Sequence, residues 1–228
     1  MSDYYQNHAA AYFERTKEAD SSGFLGPLVR CLPAGARILD VGCGGGRDLA
    51  WLKSRGFEVC GFEGSAALAA LASRHAACKV VEADFEAFDF RTLPVDAVIL
   101  VGALVHLAPP RLPEVLERIL GALGSWSVDG GWAYVSLKEG RGARRDPDGR
   151  RFYLWRDEDL RTVFKNLGLT VHHFAGSPSV LGTGEKWLGY VLRADADRVL
   201  TLRRQAAKRD IDADCIHHYT PNTKDLFQ

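Results

Sequence analysis

The chain has 228 residues, 46% of them hydrophobic and 25% charged, which is ordinary for a soluble globular protein and enough for one domain with a full core. Lysine plus arginine equals aspartate plus glutamate at 29 each, and a net charge of zero argues against a broad nucleic-acid footprint. No apolar run is long enough to span a bilayer, which excludes a helical membrane protein on sequence grounds.

The opening "MSDYYQNHAAAYFERT" is polar and aromatic, unlike a secretory signal. Its pattern predicts an amphipathic segment from Tyr4 to Glu18, followed by a second from Phe24 to Cys31. Strand "RILDV" (37–41) leads into a glycine turn and a helix over 47–55. Strand "FEVCGFE" (57–63) precedes helix "SAALAALASRHA" (65–76), with Ser65 as its cap. "KVVEAD" (79–84) is a short third strand. "VDAVILVG" (95–102) is nearly all apolar, as a central parallel strand covered on both faces should be. The spacing in "RLPEVLERILGAL" (111–123) is helical. "GGWAYVSLK" (130–138) is a strand and "EGRGARRDPDGRR" (139–151) reads as a polar loop. "DEDLRTVFKNLG" (157–168) is a helix ending at Gly168. "LTVHHFAG" (169–176) and "KWLGYVLR" (186–193) are strands with no helix between them, and the tail from Asp195 is helical at first.

This order predicts an α/β fold: a doubly wound, mostly parallel seven-stranded sheet with helices on both faces and an antiparallel edge strand. Residues 1–194 form the main domain, with 1–33 as an N-terminal helical lid, and 195–228 a C-terminal helix and tail. Cys31, Cys43, Cys60, Cys78 and Cys215 lack the close spacing of a zinc or redox motif, so they read as reduced thiols of a cytoplasmic protein. His217 and His218 belong to a polar tail, and no metal is expected.

"ILDVGCGGGRDLAWL" (38–52) carries the functional signal. Gly42, Gly44 and Gly46 let the backbone approach a ligand closely. A dinucleotide fingerprint would put glycine or alanine five residues after Gly42, where this chain has Arg47. The lysine of a phosphate loop is absent too. Asp40 precedes the glycines and would repel a pyrophosphate but suit a cation. Glu63 ends the second strand, where a carboxylate can accept from ribose hydroxyls, and Asp84 with Phe85 follows the third. Three acidic residues at three successive strand ends make a ladder for a cationic nucleoside.

On these residues the sequence resembles the class I S-adenosylmethionine-dependent methyltransferases. "LDVGCGGG" matches their first motif, "GFEGS" the second and "EADF" the third. "YFERT", "SLK" and "EKWL" are similar to those of small bacterial members called tellurite-resistance-like. The resemblance covers about residues 3 to 194 and implies S-adenosylmethionine as cofactor, with S-adenosylhomocysteine as product. It implies that Asp40, Gly42, Cys43 and Gly44 hold the methionine moiety, Glu63 and Gly64 the ribose, and Asp84 and Phe85 the adenine. Gly102 would lie beside the methionine and Tyr12 over the top.

His106, in "ALVHLAPP", follows the fourth strand. It reads either as a base or acceptor-orienting group, or as a histidine that caps a helix or packs under the lid. On the acceptor side, Lys138 ends a strand, and Tyr153, Trp155 and Lys186 are candidates for an anion and aromatic pocket. A solvated loop is the competing reading of that basic stretch. The expected function is methyl transfer to a small-molecule acceptor, with no membrane and no nucleic acid as partner. A protein or RNA methyltransferase, or a non-catalytic S-adenosylmethionine-binding module, is the alternative.

Overall fold

The structure is a computed structural model and describes residues 2–124 and 130–212. Strand β1 (Arg37–Val41) is buried from Ile38 onwards and apolar there apart from Asp40, as a strand at the centre of a sheet is. It lies between β2 (Glu58–Glu63) and β4 (Ala97–Val101), with Asp40 level with Gly61 on one side and Ile99 on the other. Beyond β2 comes β3 (Val80–Glu82), and beyond β4 comes β5 (Gly131–Lys138), all parallel. The chain thus winds outwards from β1 in both directions. Between β1 and β4 the strand order reverses, which opens a crevice at their carboxyl ends.

Helix α4 (Arg47–Lys53) follows β1, α5 (Ala66–Ala76) follows β2, and α6 (Leu112–Leu120) follows β4. Ser65 caps α5, its hydroxyl accepting from the Leu68 amide at 3.3 Å, as the sequence predicts. Side chains alternate between two cores. Leu39, Leu100 and Val135 face α6, while Ile38, Ile99 and Tyr134 face α4, α5 and α3 (Ser22–Val29), which contributes Leu25 and Leu28.

The sheet has the predicted seven strands and one antiparallel member, and that member lies one strand in from the edge. β8 (Thr170–Pro178) runs parallel to β5 and forms the edge; β9 (Lys186–Ala194) is the antiparallel strand and lies between them. Pairing of β9 with β5 runs from Gly131↔Ala194 to Lys138↔Trp187, so Trp187 arrives beside Lys138 at the carboxyl end of the sheet. α7 (Asp157–Asn166) covers β8 through Leu160 and Phe164, and α8 (Ala196–Asp212) seats Val199 and Leu202 in the core beside α6.

Two segments depart from expectation. The opening segment is two helices, α1 (Ser2–Asn7) and α2 (Ala9–Thr16), because His8 leaves helical geometry at ψ 20°. Its ring stacks on Tyr4 at 4.4 Å, and its Nδ1 lies 2.9 Å from the Tyr4 carbonyl, which also accepts from the His8 amide at 3.0 Å. The bend lays α1 against α5, where Gln6 Oε1 accepts from Ser65 Oγ at 3.0 Å and from the Ala67 amide at 3.1 Å. The stretch read as a loop contains a small hairpin, β6 (Ala143–Arg145) and β7 (Arg151–Tyr153), joined through "DPDG". Its turn closes where Gly149 N donates to Asp146 O and Asp146 N to Arg150 O, both at 2.9 Å. Cys215, His217 and His218 lie outside the described residues.

Candidate functional site

The site is built on the loops that leave β1, β2, β3 and β4. From β1 the chain turns through Gly42 at φ +73° and Gly44 at φ +55° into α4. A Cβ on Gly42 would come within 2.7 Å of the Ala103 Cβ, so the turn can sit against the β4 loop only as glycine. Gly44 carries the Tyr12 ring, whose Cε1 is 3.2 Å from where its Cβ would be. The amides of Gly42 and Cys43 donate to the Phe62 carbonyl at 2.7 and 3.1 Å, which ties the turn to β2.

Two carboxylates face this turn. Glu63 accepts from the Gly44 amide at 2.9 Å and the Ser65 amide at 3.0 Å. Burial raises its pKa and the backbone hydrogen bonds, including one from Gly64, oppose the rise. Asp40 is 1% exposed, and neither carboxylate oxygen has a hydrogen-bond partner among the described residues. Burial first, and the neighbouring Asp48 second, push its pKa well above the ordinary range. Asp48 itself is held by Arg47 at 2.7 Å and by the Ser21 hydroxyl at 2.5 Å. The same burial pushes up the Cys43 thiol. Beyond β3, Asp84 is exposed and accepts from the Glu86 amide at 2.8 Å, and half-buried Phe85 packs on the core.

Across the crevice, Gly102 at φ +65° ends β4 and donates its amide to Ser136 Oγ at 3.1 Å. The Trp187 ring lies 3.0 Å from where a Gly102 Cβ would stand. From here a cavity of about 450 Å³ opens under α1 and α2. Its walls combine aromatic rings, Tyr5, Tyr12, Phe152 and Trp187 among them, with charged side chains, and the β8–β9 loop brings Val180 and Leu181 over it. Lys138 lines it too, 6% exposed, with its ammonium 3.6 Å from the Phe152 ring centroid and 2.5 Å from Glu185. Burial lowers its pKa and the Glu185 bond opposes that. Arg144 bridges Glu185 and Asp146. Arg150 lies over Tyr4 at 4.2 Å and pairs with Asp148 at 2.7 Å.

The structure therefore gathers Asp40, Gly42, Cys43, Gly44, Glu63, Gly64, Tyr12 and Gly102 around one crevice, with Asp84 and Phe85 at the end of the third strand. Three acceptor-side expectations are corrected. Tyr153 does not line the cavity; Phe152 does, because successive strand residues face opposite ways. Lys186 is likewise displaced by Trp187 and lines an adjoining surface cleft with Arg141 and Arg156, which meets the cavity at Lys138, Arg144 and Glu185. Trp155 is 7% exposed and sits in the core, its amide bonded to the Lys138 carbonyl at 2.9 Å. His106 does not line the cavity either: its Nε2 is 2.9 Å from the Tyr5 hydroxyl, which does. The sequence reading missed Tyr5. Its spacing of seven residues from Tyr12, two helical turns, was the available signal.

Residues 38–125 match the family model described as a methyltransferase domain. Among curated proteins none matches. Among solved structures, the chain is similar to 1,6-didemethyltoxoflavin-N1-methyltransferase of Burkholderia thailandensis, solved with 1,6-didemethyltoxoflavin and S-adenosylhomocysteine. The identity is 21% over 85% of this chain and 86% of that one, with a TM-score of 0.66. A TehB-like SAM-dependent methyltransferase of Corynebacterium glutamicum is 22% identical over 85% of this chain and 96% of its own, with a TM-score of 0.58. Magnesium protoporphyrin IX methyltransferase of Synechocystis, with bound S-adenosylhomocysteine, is 15% identical over 85% and 98%, with a TM-score of 0.65.

Proposed function

We propose that this chain, which carries a methyltransferase domain in the class I S-adenosylmethionine-dependent fold, uses S-adenosylmethionine to methylate a small-molecule acceptor. The observation that carries the reading is Asp40. A fully buried carboxylate with no partner on either oxygen among the described residues is costly unless a cation meets it. The α-amino group of a methionine moiety is such a cation, and Asp40 lies at the strand-order reversal where a ligand of this fold belongs. The residues present fit the group.

In this reading Asp40, Gly42, Cys43 and Gly44 hold the methionine moiety, with Gly102 beside it. Glu63 and Gly64 take the ribose, and Asp84 with Phe85 the adenine. When bound, the cofactor supplies an electrophilic methyl on a sulfonium. The chain's own residues align the acceptor and keep water out, which is most of what such a displacement asks of a protein. Tyr12 and the bend at His8 form the roof, and Trp187 and Phe152 the acceptor's walls.

A cavity of about 450 Å³ is in the range of small-molecule sites. The names of two similar structures, methyltransferases of a toxoflavin precursor and of a porphyrin, favour the same acceptor class. Calorimetric titration with S-adenosylhomocysteine, with NAD as the parallel ligand, tests the reading. Micromolar binding of the first and none of the second is expected. A folded protein that takes NAD, or neither ligand, would overturn it.

A further inference from the structure

Beside α1 a cavity-lining side chain is backed by a second one behind the wall, and the methyl-binding crevice uses neither. Tyr5 lines the cavity, edge-on to Tyr12 at 5.3 Å, and its hydroxyl lies 2.9 Å from His106 Nε2. The other ring nitrogen, Nδ1, is 2.5 Å from the Arg151 carbonyl oxygen. A carbonyl oxygen only accepts, so Nδ1 bears the proton of that bond. In the neutral ring Nε2 is then an acceptor. The Tyr5 hydroxyl therefore donates to His106. Burial, opposed by the Arg151 carbonyl and helped by Arg150 and Lys138, holds the imidazole below its ordinary value, so it is neutral at pH 7. Burial raises the pKa of the Tyr5 phenol, and the Arg150 guanidinium, 5.9 Å from its ring centroid, opposes the rise.

The rest of the wall indicates what would use such a pair. Tyr12, Phe24, Tyr134 and Trp187 offer aromatic surface for a ring system, and the Lys138 and Arg150 cations lie over the Phe152 ring at 3.6 and 5.2 Å from its centroid. From this arrangement, and resting on the methyltransferase reading above, we infer that the acceptor is a planar aromatic molecule. Its nucleophile carries an exchangeable proton, as a ring N–H or a phenolic O–H does, and Tyr5 backed by His106 is the outlet for that proton. As the acceptor heteroatom bonds to the methyl carbon, its bond to hydrogen breaks. The proton passes to the Tyr5 oxygen, the Tyr5 proton passes to His106 Nε2, and the pair of the broken S–CH3 bond stays on sulfur. His106 then releases its proton to solvent, and no further reactant enters the balance. Tyr5 is the catalytic residue, and His106 a positioning residue that acts through it.

The probe is 7-hydroxycoumarin, a planar phenol whose neutral and ionised forms absorb differently. It is titrated with pH against the full chain saturated with S-adenosylhomocysteine, whose own binding is measured first. The bound dye is expected to ionise about one pH unit below the free dye, a tenfold change in its constant. Tyr5→Phe and His106→Gln should each return it towards the free value, and if one variant fails to fold the other carries the comparison. Failure of S-adenosylhomocysteine to bind the wild-type protein would sink the methyltransferase reading itself. If it binds but the dye stays out, or the dye ionises alike in wild type and variants, this inference alone is overturned.

Discussion

Asp40 sets stability and ligand affinity against each other. Its carboxyl is buried without a partner among the described residues, and its pKa is raised by burial. A carboxyl with a raised folded-state pKa contributes stability below the ordinary carboxylate range and loses it as pH rises through the folded value. Asp40→Asn removes that loss. The unliganded variant should therefore melt higher than wild type at neutral pH, and the gap should shrink as pH falls towards 4, in a thermal scan series. The same change should weaken S-adenosylhomocysteine binding at least roughly tenfold, since a charge-assisted bond becomes a neutral one. Gly42→Ala acts in the opposite sense. Its Cβ would meet Ala103 at 2.7 Å with the backbone at φ +73°, which should cost about 1–3 kcal/mol in urea denaturation.

At the scale of elements, much of the site was legible because strands and turns carry local signals. The apolar runs of β1 and β4, the glycines between β1 and α4, and the acids at the strand ends all lie within a few residues of what they specify. Facing was not legible. Which way Phe152 or Tyr153 points depends on where β7 begins its pairing with β6, and Trp187 against Lys186 depends on the register of β9 on β5. Nor was the bend at His8, which is made by a ring stacking on Tyr4 and not by a glycine or proline. That difference has measurable consequences. Trp155→Ala should cost about 3–5 kcal/mol as a core deletion, whereas Lys186→Ala should stay within roughly 0.5 kcal/mol, as exposed positions do. Denaturant melts of the two variants check the assignment.

The roof is tied to the rest of the molecule by a few side chains, among them Tyr5 on His106 and Tyr4 under Arg150. α1 is pinned to α5 by Gln6, which accepts from Ser65 and Ala67. Each such bond is worth about 1 kcal/mol, so Gln6→Ala should speed S-adenosylhomocysteine release by roughly fivefold to thirtyfold. The melting temperature should barely change, because the cores on both sheet faces are untouched. Stopped-flow displacement measures the rate. An unchanged rate would mean that α1 does not cover the cofactor.

For the whole molecule, ligand and fold are coupled by mass action. At a hundredfold excess over its dissociation constant, a ligand that binds only the folded state adds about 2.7 kcal/mol. For a chain of this size that is a rise of roughly 5–10 °C in melting temperature. The rise should be largest where the crevice is complete, and NAD should give none. No described helix is long and apolar enough to cross a membrane.

The most direct test is a paired measurement on Asp40→Asn: melting temperature without ligand and S-adenosylhomocysteine affinity by calorimetry, both at pH 7. A variant that melts no lower than wild type yet binds at least roughly tenfold more weakly is the result expected of a carboxylate kept for a cationic ligand. Unchanged affinity in a folded variant would contradict the central claim, because Asp40 would then be buried for some other reason and the crevice would not be read correctly.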